Sequence, residues 1–172
     1  MSISDCVLEL ERITADHVLT EFDCGNPELN EWLTQYALRN DRQDSSRVVL
    51  LLEAGVVMGY YALTMGSVSR ADVPPSLVRG MPGYPVGAVV LARFAIDVRC
   101  QGQGYGAYLL AMAIAMAANA AESAAARLFV VDAIDDDAAG FYRKFDFREL
   151  PMHPLRFYAR LKDVAASMEA AL

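Results

Sequence analysis

Residues 87–98 form a nearly unbroken apolar run, and they lead directly into Gln101-Gly102-Gln103-Gly104-Tyr105-Gly106 and then an Ala- and Leu-rich stretch reaching about Ala121. A run of this kind, rich in Val and Ala, is expected of a strand covered on both faces. The stretch after the glycines has helical length and composition, so the unit is strand, glycine turn, helix. That unit commits the chain to an α/β fold with a mixed sheet. Its turn also has chemical meaning. A pyrophosphate needs several backbone N–H groups converging on it with no side chain in the way. Gly102, Gly104 and Gly106 allow that approach, and a helix N-terminus adds a favourable dipole. Taken alone, the pattern fits a tight turn without a ligand equally well. No Lys-Ser/Thr follows the glycines, which excludes a P-loop. Gly102 and Gly104 are followed by a glycine at 106 and not at 107, so the dinucleotide fingerprint is only partly met, and it comes late in the chain.

Other elements can be read around this unit. Residues 6–12 alternate as an edge strand would. Asn26-Pro27 marks a helix start, with Asn as cap and Pro in the first turn. Leu29, Trp32, Leu33 and Tyr36 then share one face of a helix reaching about Asn40, where the polar residues 41–46 end it. Residues 47–52 and 56–69 read as a hairpin closed by Glu53-Ala54-Gly55. Residues 71–85, with Pro74, Pro75, Gly80, Pro82, Gly83 and Pro85, form a long loop of the kind that is often functional. A buried strand at 127–133 follows, then a short helix at 135–145 with acids in its first turn. Strand segments at 147–150 and 155–161 and a terminal helix at 163–172 complete the chain. No repeat or linker is visible, so the expectation is a single domain over 1–172 with its core in 6–162.

The net charge of −7 argues at first against an anionic partner. Its distribution changes that. Residues 1–31 hold eight acids and one base, whereas residues 32–172 hold 14 of each. The bases are 13 Arg and 2 Lys, a bias that suits bidentate phosphate contacts but also follows from coding composition. Cys6, Cys24 and Cys100 are odd in number and lack metal-ligand spacing, so reduced thiols, a cytoplasmic location and no metal are expected. No run is long enough to span a bilayer, and the first residues show no leader pattern, so no membrane partner is expected.

The Gln-x-x-Gly-x-Gly pattern after a buried strand, with Phe141-Tyr142 two elements later, resembles the acetyl-CoA motif of the GCN5-related N-acetyltransferases. The resemblance narrows to the acetyltransferase toxins of bacterial toxin–antitoxin pairs. It rests on Phe22-Asp23-Cys24-Gly25-Asn26, Leu29-Asn30-Glu31-Trp32-Leu33, Met58-Gly59-Tyr60-Tyr61-Ala62-Leu63, Pro85-Val86, Leu91-Ala92-Arg93 and Phe141-Tyr142-Arg143-Lys144-Phe145-Asp146-Phe147. It implies the family fold, a single domain with a splayed, mostly antiparallel central sheet flanked by helices. It implies acetyl-CoA as co-substrate, and as acceptor the α-amine of aminoacyl-tRNA, which once acetylated cannot accept a growing peptide. Implied partners are a ribbon-helix-helix antitoxin and, through it alone, operator DNA in a self-repressing complex. A homodimer would extend the RNA surface. This chain departs from the subgroup in its acidity, in Gln103 where the loop usually carries a base, and in Gly140 within the helix of Tyr142. Asp146 stands where many relatives have Gly, a mild change because Asp tolerates a left-handed helix end.

The resemblance also implies roles. Tyr142 would be the general acid that protonates the departing thiolate. An ordinary tyrosine pKa of about 10 keeps it protonated at neutral pH. Cofactor contacts would come from Phe94, Ala95 and Ile96, whose strand amides would polarise the acyl carbonyl, from Gln101, Gly102, Gln103, Gly104, Tyr105 and Gly106, and from Asp135, although the acids at 135–137 also suit a helix cap. Arg39, Arg42, Arg47, Arg79 and Arg93 are candidates for the acceptor or tRNA backbone, with Arg70 on the other flank of the Pro-rich loop. Taken singly, each is more simply read as solvated or internally paired. His17 and His153 lie in no catalytic context. Two other functions stay open: acetylation of a small amine or peptide N-terminus, and a non-catalytic module that binds an antitoxin–operator complex.

Overall fold

The structure is a computed structural model that describes residues 5–171. The leader reading of residues 1–4 and the last residue of the terminal helix lie outside the described residues. The chain divides into two compact units, residues 1–64 with 92–112, and residues 65–91 with 113–172. Among the described residues there are seven strands.

The first unit contains β1 (Leu8–Arg12), β2 (Arg47–Glu53), most of β3 (Val56–Val68) and the end of β4 (Val86–Ile96). β1 and β2 are antiparallel from Leu8–Glu53 to Arg12–Val49, which makes β1 the expected edge strand. β2 and β3 form the expected hairpin. Ala54 and Gly55 both have positive φ, 50° and 77°, the geometry of a two-residue turn that matches strand twist. Between Leu51 and Leu52 the register shifts, so β3 carries an extra residue there. Asn26 caps the first helix by accepting from the Leu29 amide, with Pro27 in the first turn, as expected.

That helix is not uniform. It runs as α1 (Pro27–Glu31), a π-helical segment Trp32–Tyr36, and α2 (Ala37–Arg42). The Ala37 amide reaches back to the Trp32 carbonyl, one residue further than α-helix geometry. The extra residue moves the inward face: Leu29 and Leu33 are buried as expected, but Tyr36 turns to solvent at 41% exposure and Ala37 takes the buried place. The polar segment ends the helix at Arg42, as expected, and it also holds a buried anchor. Asp41 accepts from the Arg12 and Arg47 guanidiniums and from the Val48 amide at 2.9 Å, fixing the helix end to β1 and β2. Burial opposes the charge of Asp41, but these bonds outweigh it and lower its pKa. The core of this unit collects Phe22, Leu33, Leu50 and Tyr60, and the Tyr60 hydroxyl donates to the Leu29 carbonyl.

In the second unit, β4 pairs in parallel with β5 (Leu128–Asp132), and β5 pairs antiparallel with β7 (Arg156–Arg160). A two-residue β6 (Arg148–Glu149) lies outside β7. Helices α5 (Asp136–Arg143) and α6 (Leu161–Ala171) belong here, with α6 starting earlier than expected. The Pro-rich segment is partly structured: it contains a short α3 (Pro75–Val78) that buries Val78, and Arg70 donates to the carbonyls of Met81 and Pro82. Val73 and Val78 join Val90, Val130 and Tyr158 in the core. Among the described residues no helix is long and apolar enough to cross a membrane.

Candidate functional site

In the first unit the glycine loop is held by its own side chains. β4 ends at Ile96, and Asp97 is fully buried. The Asp97 carboxylate accepts from the Arg99 amide at 2.9 Å, from the Asp23 amide at 3.1 Å and from the Arg99 guanidinium at 2.8 and 2.9 Å. Burial alone would raise its pKa, but these donors outweigh it and bring it down to about 2. Gln101 then donates to the carbonyls of Ile96, at 2.8 Å, and Cys24, at 2.9 Å, and Gln103 donates to the Arg99 carbonyl. Both glutamines therefore shape the loop, and Gln103 closes its turn. Gly102 and Gly104 have φ of 73° and 94°, and a Cβ at Gly102 would meet nothing within 4 Å. Gly106 lies in the first turn of α4 (Tyr105–Ser123), so its backbone is helical. The Tyr105 ring is buried, and its hydroxyl is 3.2 Å from the Glu53 carboxylate. That leaves the backbone of Tyr105 as its contribution to the loop.

Asp97 was absent from the expected site residues. Its signal was the Asp-x-Arg spacing directly after β4. The Asp97→Asn variant is expected to lose about 1.5–3 kcal/mol of stability, the usual worth of hydrogen bonds to a charged group. Because the native pKa lies below the unfolded one, its contribution is present above pH ~4 and disappears as pH falls through about 2. Acid titration of the wild type and the variant by circular dichroism should therefore converge at low pH.

The parallel ladder of β4 with β5 covers only Ala88–Leu91 against Leu128–Val131. β4 continues through Ala92–Ile96 beyond the end of that ladder, as a splayed sheet requires. Gly59 of β3 is needed beside this extension, since a Cβ there would lie 2.9 Å from Ile96 Cδ1 and 3.0 Å from the Ala95 carbonyl oxygen. Trp32 stacks on Tyr60 with centroids 5.9 Å apart, and the Arg93 guanidinium lies 5.2 Å from the Trp32 ring centre. Arg93 is thus brought to an aromatic stack that sequence reasoning had not foreseen, because Trp32 reaches it from the π-helical segment. Arg47 is paired with Asp41 and Asp44, and Arg39 lies over the Tyr36 ring. Arg42 is an exposed residue of the last turn of α2. Among the described residues no cysteine is in a disulfide. Burial raises the pKa of Cys24, and that of Cys100 to about 11, which disfavours nucleophilic roles. His17 is held between the Thr14 amide and Glu11.

In the second unit, Tyr142 sits on α5 and is 4% exposed. Its ring meets those of Phe141 and Phe147 edge-on, at 5.3 and 6.0 Å. Burial, and secondarily the Asp132 carboxylate, raise the pKa of its phenol, so the group stays protonated. Asp135 is the N-cap of α5, with Oδ1 accepting from the Ala138 amide at 2.9 Å. Of the two readings for Asp135, the cap is the one its carboxylate serves. Asp146 ends this turn at φ 64°, the left-handed position expected of it. Arg79 is exposed after α3, and His153 contacts Asp72 at 3.1 Å. Gly140 has open space at its Cβ position. Gly140→Ala is therefore expected to stabilise α5 by up to ~1 kcal/mol, seen as a rise in melting temperature; a fall would mean that the helix needs the glycine.

The chain matches the family model described as Acetyltransferase (GNAT) family over residues 11–147. It is 40% identical over 155 residues to the "tRNA-acetylating toxin" of Mycobacterium tuberculosis, covering 90% of this chain and 93% of that protein. Among solved structures it resembles AtaT complexed with acetyl-methionyl-tRNAfMet, with a TM-score of 0.87 and 30% identity over 94% of this chain and 99% of that one. A Tyr-to-Phe variant of AtaT bound to the C-terminus of the antitoxin AtaR and acetyl-CoA matches with a TM-score of 0.81 and 29% identity, covering 94% of this chain and 97% of that one. With the glycine loop opening a long helix after the splayed β4, these matches show that the chain belongs to the GNAT acetyltransferase family.

Proposed function

We propose that this protein is a cytoplasmic toxin that transfers the acetyl group of acetyl-CoA to the α-amine of aminoacyl-tRNA and so stops translation. The observation that carries this reading is the 40% identity, over 90% of the chain, to a tRNA-acetylating toxin. The solved relative with acetyl-methionyl-tRNAfMet supports the same acceptor. The family match runs through both compact units, which favours one catalytic domain over residues 1–172. The relative bound to an antitoxin C-terminus supports an antitoxin partner for this chain, with operator DNA reached through that partner. A homodimer remains part of the proposal as an extension of the RNA surface.

The residues fit acetyl-CoA. The Gly102–Gly106 backbone offers N–H groups at the start of a 19-residue helix, where the dipole favours phosphate. Gly102 and Gly104 hold conformations that other residues rarely adopt. The thioester supplies the acyl group. The backbone of β4 near Phe94–Ile96 would orient its carbonyl and stabilise charge developing on the oxygen. Tyr142 would give its phenolic proton to the leaving thiolate as the amine nitrogen bonds to the acyl carbon and the C–S bond breaks, and the proton that the nitrogen then loses would return, through water, to the phenolate. No side chain is required as base, because the α-amine of an aminoacyl ester has a pKa low enough to arrive neutral. Arg39, Arg42, Arg79 and Arg93 are proposed acceptor contacts. Arg47 is placed lower among them because Asp41 and Asp44 already neutralise it.

Incubation with labelled acetyl-CoA and total charged tRNA tests the proposal. Label is expected in the aminoacyl fraction and lost on mild alkaline hydrolysis of the ester. Label found only on free amines or peptide N-termini would replace this reading with the small-amine one.

A further inference from the structure

Residues 143–162 are the most basic twenty-residue stretch of this acidic chain, with Arg143, Lys144, Arg148, Arg156, Arg160 and Lys162 against Asp146 and Glu149. The second unit places much of this stretch around a groove of about 630 Å³. The groove lies at a sheet edge. β6 pairs only Arg148 with Tyr158 and Glu149 with Phe157, so β7 runs past it at Ala159 and Arg160. Arg143, Arg148 and Arg160 line the groove with Ser76, Asp163 and Ser167. Its size is in the range of pockets that hold small-molecule-sized groups.

The state of the cations identifies the ligand. Arg156 pairs with Asp132 at 3.2 Å. Arg143 lies over the Phe157 ring and only 3.7 Å from Glu149. Arg148 and Arg160 are exposed, and neither has a carboxylate within 4 Å among the described residues. By contrast Arg12, Arg47 and Arg99 are held by Asp41 and Asp97, and Arg39 and Arg93 lie over aromatic rings. Two unpaired guanidiniums in one groove are a site for phosphate oxygens, which guanidinium binds bidentately. Asp163 also lines the groove, but it sits in the first turn of α6, where the helix dipole offsets its charge. Asp146 lines it too, and leaves the three lining arginines in excess over two acids. Of the aromatic lining residues, Tyr158 and Phe147 are buried, and the half-buried Phe145 is packed edge-on against Phe141 at 5.1 Å.

We propose that this groove binds the phosphodiester backbone of the RNA acceptor, with Arg148 and Arg160 as its principal contacts. The proposal rests on the aminoacyl-tRNA reading and adds to it a backbone contact made without base readout.

The test compares the full-length wild type with the Arg148→Gln/Arg160→Gln double variant, measuring equilibrium binding of total uncharged tRNA and KM for charged tRNA. Both affinity measures should weaken roughly tenfold or more for every tRNA species alike. The slope of log affinity against log salt should fall by about 1–2, as for two lost phosphate contacts. The KM for acetyl-CoA and the melting temperature should not change. Arg148→Lys/Arg160→Lys should restore the salt slope and only part of the affinity, because charge is kept and bidentate geometry is lost. Unchanged tRNA affinity and salt slope in the Gln variant would overturn the proposal. So would unchanged RNA binding with loss of an antitoxin C-terminal peptide, which would assign the groove to that peptide instead. A wild type that binds tRNA through these arginines but acetylates none of it would support the groove and sink the aminoacyl-tRNA acetylation.

Discussion

Tyr142→Phe is expected to slow acetyl transfer by about 10²- to 10⁴-fold, the range associated with a lost general acid. The fold should survive. The ring is packed edge-on between Phe141 and Phe147, and Phe fills the same space without leaving a cavity. Burial and the nearby Asp132 already hold the phenol in its protonated form. The wild-type rate should therefore rise with pH only until the acceptor amine is neutral, then stay level, with no downturn from tyrosine ionisation up to about pH 9. Single-turnover rates with saturating acetyl-CoA read this directly. A loss smaller than tenfold would remove Tyr142 from the acid role and leave it as a packing residue.

The second large effect is structural and lies beside β4. Gly59→Val is expected to destabilise the protein by more than the ~1–3 kcal/mol typical of overpacking and to raise the KM for acetyl-CoA. Even a Cβ would press on Ile96, Leu109 and the Ala95 carbonyl, at 2.9, 3.2 and 3.0 Å. The side chains can adjust, but the carbonyl moves only with β4. Ile96 is also the residue whose carbonyl holds Gln101 at 2.8 Å, so a shift of the strand end carries into the glycine loop. Thermal melts and acetyl-CoA titration together check the argument. Melting within a degree of wild type with unchanged KM would show that β4 has more freedom than this packing allows.

The strand–turn–helix unit was legible because its signals are local: an apolar run, glycines, then helix-forming residues. The Asn26 cap, the Ala54-Gly55 turn and the left-handed Asp146 were legible for the same reason, since each depends on a few adjacent residues. Two of the features missed depend on partners far apart in sequence. Nothing near Asp41 shows that it will bind Arg12 and Val48, and the residue looked like a polar helix terminus. Asp97 is tied to Asp23, 74 positions away. The π-helical segment was hidden because a 3.6-residue period assumes regular winding, and the extra residue moved Tyr36 outward and Ala37 inward. Arg47 looked like a surface base until Asp41 was placed beside it. The catalytic assignment of Tyr142 came from family resemblance, because an isolated Tyr among phenylalanines reads as core.

The identity of the acceptor is the decisive point. Mass spectrometry of the amino acids released from tRNA after induced expression reads it in the cell. If aminoacyl-tRNA is the acceptor, Nα-acetylated aminoacyl groups are expected on tRNA in cells expressing the wild type and are expected to be absent in cells expressing Tyr142→Phe. Growth arrest by the wild type with no acetylated aminoacyl-tRNA detected would contradict that acceptor.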